Sequence, residues 1–377
     1  MRRLSLVGLL LAPALVLVSA PAGAAKSQAS DEKLVAKQVE ALAMDGSRVA
    51  YMRGDRRVVV WNLSTGSTTA INGTYPSNGD KFGYGGGEVA IAGQRVALVT
   101  RFVTGNSEQT QERLYTATLG GTAHQLGKLT NHFTNPQDGE PDGGLSDGHW
   151  IAGVVGSGKV LAVSTWKSNN SVPTQERLSL VTPAGLHTIA TGAGAIVARS
   201  ANGGHIAVFR STNAWPAEGV SPATAAPTVG VYSSGGALLG EVSVSSNAVG
   251  VALSGDELVV LTETIPKPGT LKATLQVYNW TTGELTDTWP VAVGHVPPLD
   301  QIAVHGELAA VEGSSSLHLV DLKTGKDEAI AHSSRIGCPA ALGPRGLVYA
   351  VNPSSDKKPG KLVFVPMRRL LADVSAG

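Results

Sequence analysis

Apolar and polar residues alternate in short runs along most of this chain, and turn-forming residues separate the runs. The clearest example lies within residues 299–331, where apolar alternation occupies residues 302–304, 308–311 and 317–322, and a weaker fourth run follows the turn at residues 323–325. Alternation with a period of two, bounded by glycine and serine, is typical of β-strands. The segment therefore predicts a four-stranded antiparallel sheet.

The same four-strand unit recurs seven times. Each copy has a turn before its second strand, and the glycines of these turns follow one another at about 50 residues, the spacing typical of propeller blades. A second turn, after the third strand, recurs in step in six copies, whereas the seventh copy has residues 366–369 there. The glycines of the first turn are Gly46, Gly93, Gly158, Gly204, Gly255, Gly306 and Gly346.

One such sheet cannot bury both of its faces alone, so copies must pack side by side. We therefore predict an all-β fold, a seven-bladed β-propeller of four-stranded antiparallel blades over residues 39–374. An array of two-sheet sandwiches is the alternative. The ring needs a closing strand because an open edge is a template for aggregation. Residues 34–39, at the end of an N-terminal segment (residues 25–38), are expected to supply the outer strand of the seventh sheet, with residues 370–374 as the alternative.

Two segments carry a family resemblance. VVVWNLSTG at residues 58–66 and LHLVDLKTG at residues 317–325 resemble the third strand and following turn of WD-repeat propellers. The Gly-His dipeptide and the buried His–Asp–Trp hydrogen-bond set of that family do not recur in each copy. The chain thus resembles a divergent WD-repeat-like propeller of the bacterial secreted type, and the resemblance implies an architecture rather than a particular activity.

The N-terminus has the features of a signal peptide. Arg2 and Arg3 precede an apolar run at residues 4–18, and small residues at 20–24 form a cleavage site, so residues 1–24 are expected to be removed. Pro13 and the small-residue end argue against the alternative of an uncleaved membrane anchor. We therefore expect a secreted protein, extracellular or in the cell envelope, with no membrane span in the mature chain.

The amino-acid composition limits the classes of partner that we expect. The chain has a formal net charge of +1, with 16% charged residues and no basic run, which argues against nucleic-acid binding. Its single cysteine, Cys338, cannot form an intramolecular disulfide. We expect a monomer that needs no cofactor, with calcium as the one possible exception.

The links between strands differ in length on the two faces of the predicted ring. Turns that join strands one to two and three to four are short and form the short-turn face. Links on the opposite, long-loop face are much longer, and they include residues 72–87, 101–111, 130–148, 166–175, 210–228 and 263–272. Long loops on a rigid scaffold are where recognition is usually placed, so we predict that the long-loop face is functional.

Aromatic and amide residues are concentrated in these links. Aromatic rings can stack on sugars or anchor a peptide, and neighbouring amides can add hydrogen bonds. The alternative is that the rings only pack their own loops onto the blades. The candidate binding residues are Tyr75, Phe82, Tyr84, Trp166, Asn169 and Trp215.

The loop at residues 135–149 contains four carboxylates in a glycine-rich frame: Asp138, Glu140, Asp142 and Asp147. The first three stand at alternate positions, followed by glycine, as in a calcium-binding loop. His149 occupies the twelfth position, where such a loop has a bidentate glutamate. The loop therefore makes calcium a candidate ligand, with a solvated acidic loop as the alternative.

Catalysis has weaker support from the sequence. Seven-bladed lyases use a histidine and acidic residues on one face of the ring, which makes His149 with Glu140 and Asp147 the candidate catalytic group. We predict a non-catalytic recognition module that binds a protein or a cell-surface glycan through the long-loop face. The alternative is a propeller enzyme of the lyase or hydrolase type, with its site at the mouth of the channel.

Overall fold

A computed structural model describes residues 31–35, 37–73, 87–104, 109–133, 146–169, 172–192, 195–211, 227–267, 270–293, 302–313, 316–332, 340–352 and 359–375. Within these residues the chain forms 28 strands and one helix. The first strand, β1 (Asp31–Val35), belongs to the last sheet, and the strands that follow build the blades in chain order.

Each blade has four antiparallel strands, which run in order from the inner to the outer edge. Blade 1 contains β2 (Val39–Asp45), β3 (Arg48–Arg53), β4 (Val58–Asn62) and β5 (Thr68–Ala70). Blade 2 contains β6 (Gly87–Ala92), β7 (Arg95–Thr104), β8 (Gln109–Thr118) and β9 (His124–Phe133). Blade 3 contains β10 (Ser146–Ser157), β11 (Val160–Asn169), β12 (Val172–Thr182) and β13 (Gly185–Gly192). Blade 4 contains β14 (Ala195–Asn202), β15 (His205–Ser211), β16 (Thr228–Ser233) and β17 (Leu238–Ser243).

The remaining blades follow the same order. Blade 5 contains β18 (Ala248–Ser254), β19 (Glu257–Lys267), β20 (Thr270–Asn279) and β21 (Glu284–Val291). Blade 6 contains β22 (Ile302–His305), β23 (Leu308–Glu312), β24 (Ser316–Asp321) and β25 (Asp327–His332). Blade 7 contains β26 (Ala341–Gly343), β27 (Gly346–Val351), β28 (Gly360–Pro366) and, as its outer strand, β1. The prediction of a seven-bladed β-propeller is confirmed.

The turn glycines explain why the unit repeats so regularly. All seven have positive φ, and five of them lie between 57° and 59°. This left-handed conformation costs glycine little and other residues more, so glycine is the natural residue for a tight turn between strands one and two. The turns fix the register of every inner hairpin.

The core consists of apolar layers between adjacent blades. Among the described residues there are seven such clusters, one at each interface. The second strands contribute most, because both of their faces are covered; Val96, Ala97, Leu98 and Val99 of β7 are each 0% exposed.

The ring closes through the N-terminal segment. β1 pairs with β28 along its whole length, from Asp31 opposite Phe364 to Val35 opposite Gly360. The side chain of Asn352 in blade 7 also holds the backbone of Val39 in blade 1: its Oδ1 accepts from the Val39 N–H at 2.8 Å, and its Nδ2 donates to the Val39 carbonyl at 2.9 Å.

The alternative closing strand, residues 370–374, is helical instead. It lies within α1 (Met367–Ser375), whose Leu370 and Val374 are buried against blades 6 and 7. These two residues are four apart, which places them on one side of a helix. Lys326 Nζ donates to the carbonyls of Asp373 and Val374 at 3.2 and 2.7 Å, where a cation is favourable at a helix C-terminus.

In three of the predicted long loops the described residues are strand. Residues 101–104 and 109–111, 166–169 and 172–175, and 263–267 and 270–272 continue the second and third strands of blades 2, 3 and 5, which pair up to Thr104–Gln109, Asn169–Val172 and Lys267–Thr270. The link at residues 130–148 is also partly strand, because β9 pairs with the start of β10 and joins blades 2 and 3 into one eight-stranded sheet. No helix in the described part of the chain is long and apolar enough to cross a membrane.

Candidate functional site on the long-loop face

In the described part of the long-loop face, three hairpins extend beyond the others and are called the raised hairpins: β7–β8, β11–β12 and β19–β20. Their second strands contain 10, 10 and 11 residues, whereas β3, β15, β23 and β27 contain 6, 7, 5 and 6. All second strands start at the turn glycines on the short-turn face, so the extra length lies on the long-loop face. Four extra residues at about 3.3 Å each raise a hairpin by roughly 13 Å.

A buried ion cluster supports the raised hairpin of blade 2. Arg101 Nε donates to Glu112 Oε1 at 2.7 Å, and Arg101 Nη2 donates to Glu88 Oε1 at 2.6 Å and to the Ile151 carbonyl at 2.8 Å. Glu112, which is 2% exposed, accepts from the Ile151 N–H, and Glu88 accepts from the Val154 N–H at 3.0 Å. The cluster therefore ties blade 2 to the inner strand of blade 3.

Burial and opposite charge act against each other in this cluster. Burial lowers the pKa of Arg101, but Glu88 and Glu112 more than offset it, so the pKa of Arg101 lies above its usual value. Burial raises the pKa of Glu112. Arg101 and the Ile151 N–H lower this pKa, but they offset the effect of burial only in part. Each charged form is therefore stabilised by the opposite charges beside it.

A second ion cluster ties blade 3 to blade 4. Arg210 Nη2 lies 2.8 Å from Glu176 Oε1 and 2.8 Å from the Tyr232 hydroxyl, and Glu176 is 2% exposed. Burial raises the pKa of Glu176, while Arg210 lowers it. Glu112 and Glu176 occupy the same place in a repeated sequence, TQERL, at residues 110–114 and 174–178. This repeat is the sequence signal that relates the two glutamates, although it contains neither Arg101 nor Arg210.

The cation beside Glu112 comes from its own blade, whereas the cation beside Glu176 comes from the next blade. Arg101 stands opposite Glu112 within blade 2, whereas Trp166 stands opposite Glu176 within blade 3. The cation for Glu176 is supplied instead by Arg210 of blade 4. The two hairpins are thus fixed to their neighbours by the same carboxylate position and different arginines.

Trp166 is mostly buried. It is 9% exposed and stacks on Trp150, with ring centroids 5.7 Å apart and planes at 19°. Trp150, the partner that sequence reasoning missed, is half-buried on β10. Trp166 therefore supports the raised hairpin of blade 3 and leaves Trp150 as the more accessible ring of the pair.

His149 lies on β10 directly opposite Lys167 of β11, and its side chain is exposed. Partial burial lowers the pKa of His149, and the nearby cations Lys167 and Arg177 lower it further. The neighbours that shift His149 are therefore basic, which differs from the acidic group proposed for it from the sequence.

The other candidates can be placed only in part. Asn169 ends β11, and the backbone of Asp147 pairs with His132 of β9. In the described ranges no three His, Cys, Asp or Glu side chains come together as a group that could hold a metal ion. Seven candidates lie outside the described residues: Tyr75, Phe82, Tyr84, Asp138, Glu140, Asp142 and Trp215. Their roles, and the calcium prediction, stay predictions.

Two further carboxyls near this face have raised pKa values. Burial raises the pKa of Glu312, at the end of β23, to about 8. Burial also raises the pKa of Glu40, on β2, to about 7, with Arg56 lowering it and Asp55 raising it. The folded state therefore favours the protonated form of each carboxyl more strongly than the unfolded chain does.

Glu312 should make the folded state less stable as the pH rises. Between its usual pKa of 4.5 and the folded value of about 8, the unfolded chain has lost the proton that the folded chain keeps. The free energy of unfolding should fall by up to about 1.4 kcal/mol per pH unit over this range and fall no further above it. Urea titrations of wild type and Glu312→Gln at pH 5, 6, 7 and 8 measure this slope.

The substitution Glu312→Gln should flatten that slope. Glu307→Gln is the matched control, because Glu307 lies in the same blade with its side chain 70% exposed. Equal slopes in wild type and Glu312→Gln would show that Glu312 is not protonated in the folded protein.

Comparison with known proteins adds little to this description. No family model matches the chain, and no curated protein matches it at a significant level. Among solved structures, the crystal structure of the computationally designed Ika8 protein is similar at 13% identity and a TM-score of 0.44, over 88% of this chain and 98% of that one.

Proposed function

We propose that this protein is a secreted, non-catalytic recognition module that binds a protein or a cell-surface glycan through its long-loop face. The observation that carries the proposal is the set of three raised hairpins. Blades 1, 6 and 7 complete their part of the ring with second and third strands of five to seven residues. The greater length in blades 2, 3 and 5 is therefore not required for closing a propeller.

The raised parts also have a thermodynamic cost, because ordering each extra backbone residue costs about 1–2 kcal/mol of conformational free energy. Strand pairing holds all three hairpins in place, and the two ion clusters add support in blades 2 and 3. A rigid, elevated surface reduces the entropy lost on binding, which is the advantage of a preorganised site.

The candidate aromatic residues belong to the same face. Residues 74–86 join β5 of blade 1 to β6 of blade 2, and residues 212–226 join β15 to β16 of blade 4, so both links connect strand ends on the long-loop face. Trp150 adds a half-buried ring on β10. Aromatic anchors beside rigid hairpins suit either a sugar ring or an extended protein segment.

Secretion rests on the leader at residues 1–24. Expression with the native N-terminus in an export-competent bacterium should deliver a mature protein outside the cytoplasm that begins near Ala25, as measured by intact mass. Retention in the membrane fraction with residues 1–24 attached would contradict this part of the proposal.

A screen of the folded protein tests recognition. Glycan arrays, cell-surface extracts and calcium are compared by thermal shift, because a ligand that binds only the native state raises the melting temperature. Photo-crosslinking of any bound glycan or protein should label the raised hairpins. Labelling confined to the short-turn face, or turnover of a ligand at the channel mouth, would contradict the proposal, and turnover would favour the lyase or hydrolase alternative.

A further inference from the structure

Three polar side chains form a continuous hydrogen-bonded chain in blade 6. His318 Nδ1 lies 2.7 Å from Asp327 Oδ1, and His318 Nε2 lies 3.0 Å from Ser316 Oγ. The other oxygen of Asp327, Oδ2, accepts from the Ala292 N–H of blade 5 at 2.7 Å. The Ala292 N–H thus fixes one carboxylate oxygen of Asp327, and the other oxygen orients the ring of His318.

The hydrogen bonds define the direction of proton transfer. A carboxylate accepts only, so the Nδ1–H of His318 donates to Asp327, and Nε2 has a lone pair for the Ser316 hydroxyl. This is the arrangement in which an imidazole removes a proton from serine as the oxygen attacks, and it is recognised by geometry rather than by sequence order. Sequence reasoning did not find it because Ser316 and His318 are two residues apart on one strand.

The location of the serine limits what can reach it. Ser316 begins β24 at the long-loop face and is 8% exposed, and His318 is 7% exposed. Gly313 adjoins it, and a Cβ there would lie 3.1 Å from Val293 Cβ and 3.3 Å from the Ser316 carbonyl. Glycine at 313 therefore packs closely against Val293, and the low exposure of Ser316 and His318 restricts access to small groups.

We propose that Ser316 is a nucleophile, activated by His318 and oriented through Asp327, that accepts short acyl groups from small esters. The Ser316 proton moves to His318 Nε2 as Oγ bonds to the ester carbonyl carbon. The bond to the alcohol oxygen then breaks, and the alcohol leaves with the proton from His318. Water, activated by the same imidazole, cleaves the acyl-serine to a carboxylic acid and restores the hydroxyl.

The proposed ester cleavage is separate from ligand recognition by the raised hairpins, which is the non-catalytic function proposed above. The site lies on β24 and β25, the outer half of blade 6, at the interface with blade 5, whose hairpin β19–β20 is the nearest of the three raised hairpins. Ser164 provides a matched control, because it is a buried serine at another blade interface, where it accepts from the Ala198 N–H at 2.8 Å. Its hydroxyl also faces the Gly153 carbonyl at 3.5 Å, so it is held by backbone groups and should have no general base.

Covalent labelling tests the proposal. The full chain is treated with diisopropyl fluorophosphate, and separately with p-nitrophenyl acetate, and its intact mass and peptide masses are measured. We expect one adduct per chain, located on Ser316, and release of p-nitrophenol. Ser316→Ala should lose the adduct, Ser164→Ala should retain it, and His318→Gln should slow labelling by about 10²-fold or more.

If the three residues had only a structural role, substituting Asp327 would not change the labelling rate of the folded protein. Asp327 is a positioning residue, so Asp327→Asn should slow labelling and move the pH at which the labelling rate is half-maximal, with the folded fraction unchanged by circular dichroism. An unlabelled wild-type chain, an adduct on another serine, or equal labelling rates in His318→Gln and wild type would overturn the proposal. Peptide mapping of wild type decides the outcome even where a variant fails to fold.

Discussion

A chain that starts at Gln38 should be far less stable than one that starts at Asp31. The longer chain keeps β1, whose five residues pair with β28 and whose Val35 is 3% exposed. Losing the buried valine costs about 1.5–3 kcal/mol, and the lost strand hydrogen bonds add about 0.5–1.5 kcal/mol each. We expect a loss of at least about 3 kcal/mol in the free energy of unfolding, measured by urea titration.

The chain that starts at Asp31 is the matched control for this deletion. It keeps the closing strand, so its stability should equal that of a chain that starts at Ala25. A stronger loss on deleting α1 than on deleting β1 would show that the C-terminus, rather than the N-terminus, is the main closure of the ring.

Arg101→Met should cost about 3–5 kcal/mol, which is the range for removing one partner of a buried ion pair. Glu112, 2% exposed, would then have no cation beside it, and the link from blade 2 to Ile151 of blade 3 would weaken. Arg177→Met is the matched control, because Arg177 is an exposed arginine in the equivalent hairpin and should change stability by less than about 0.5 kcal/mol. Chemical denaturation at pH 7 measures both variants.

The double variant Arg101→Met/Glu112→Leu separates the lost charge from lost packing. Replacing both partners with apolar residues is often nearly neutral, so the double variant should recover much of the stability lost in Arg101→Met. Equal loss in the single and double variants would mean that the arginine acts through packing alone.

The sequence predicted the ring because its strongest signals are the ones a propeller depends on. Tight inner turns require glycine, and buried second strands require apolar alternation, so Gly46 and its six equivalents appear at regular intervals. The closing segment was found near its true position but shifted: β1 ends at Val35, and Val39 already belongs to β2.

The raised hairpins were predicted as loops for a physical reason. Apolar alternation indicates burial of one face, and a strand that rises above its neighbouring blades has both faces near solvent. Thr104 and residues 109–111 are polar, and they continue the same regular pairing as the buried part of β7 and β8. In the same way, α1 was considered as a strand because a nine-residue helix with two buried positions gives only a short helical signal.

The long-loop face was proposed from link lengths, but the contacts of its side chains could not be predicted in the same way. The burial of Trp166 depends on Trp150, which stacks on it from another strand. The Ser316–His318–Asp327 chain also depends on packing, since the backbone N–H of Ala292 in blade 5 holds the aspartate. Contacts between blades join residues that no local pattern relates.

The central claim is that the raised hairpins of the long-loop face bind the ligand. Each hairpin can be trimmed at a paired position by an Asn-Gly turn: between Phe102 and Gln111, Lys167 and Gln175, or Thr264 and Lys272. These changes keep Arg101, Glu112, Trp166 and Glu176 in place. The matched control is a set on the short-turn face, His124→Ala, Thr282→Ala and Thr324→Ala.

The most direct measurement is the dissociation constant of a ligand identified in the screen, determined for the three trimmed proteins and for the short-turn set. We predict that trimming weakens binding by about 30-fold or more in at least one hairpin, since losing an interface anchor costs about 2 kcal/mol, and that melting temperatures stay close to wild type. Binding that survives all three trims and is lost in the short-turn set would contradict the account.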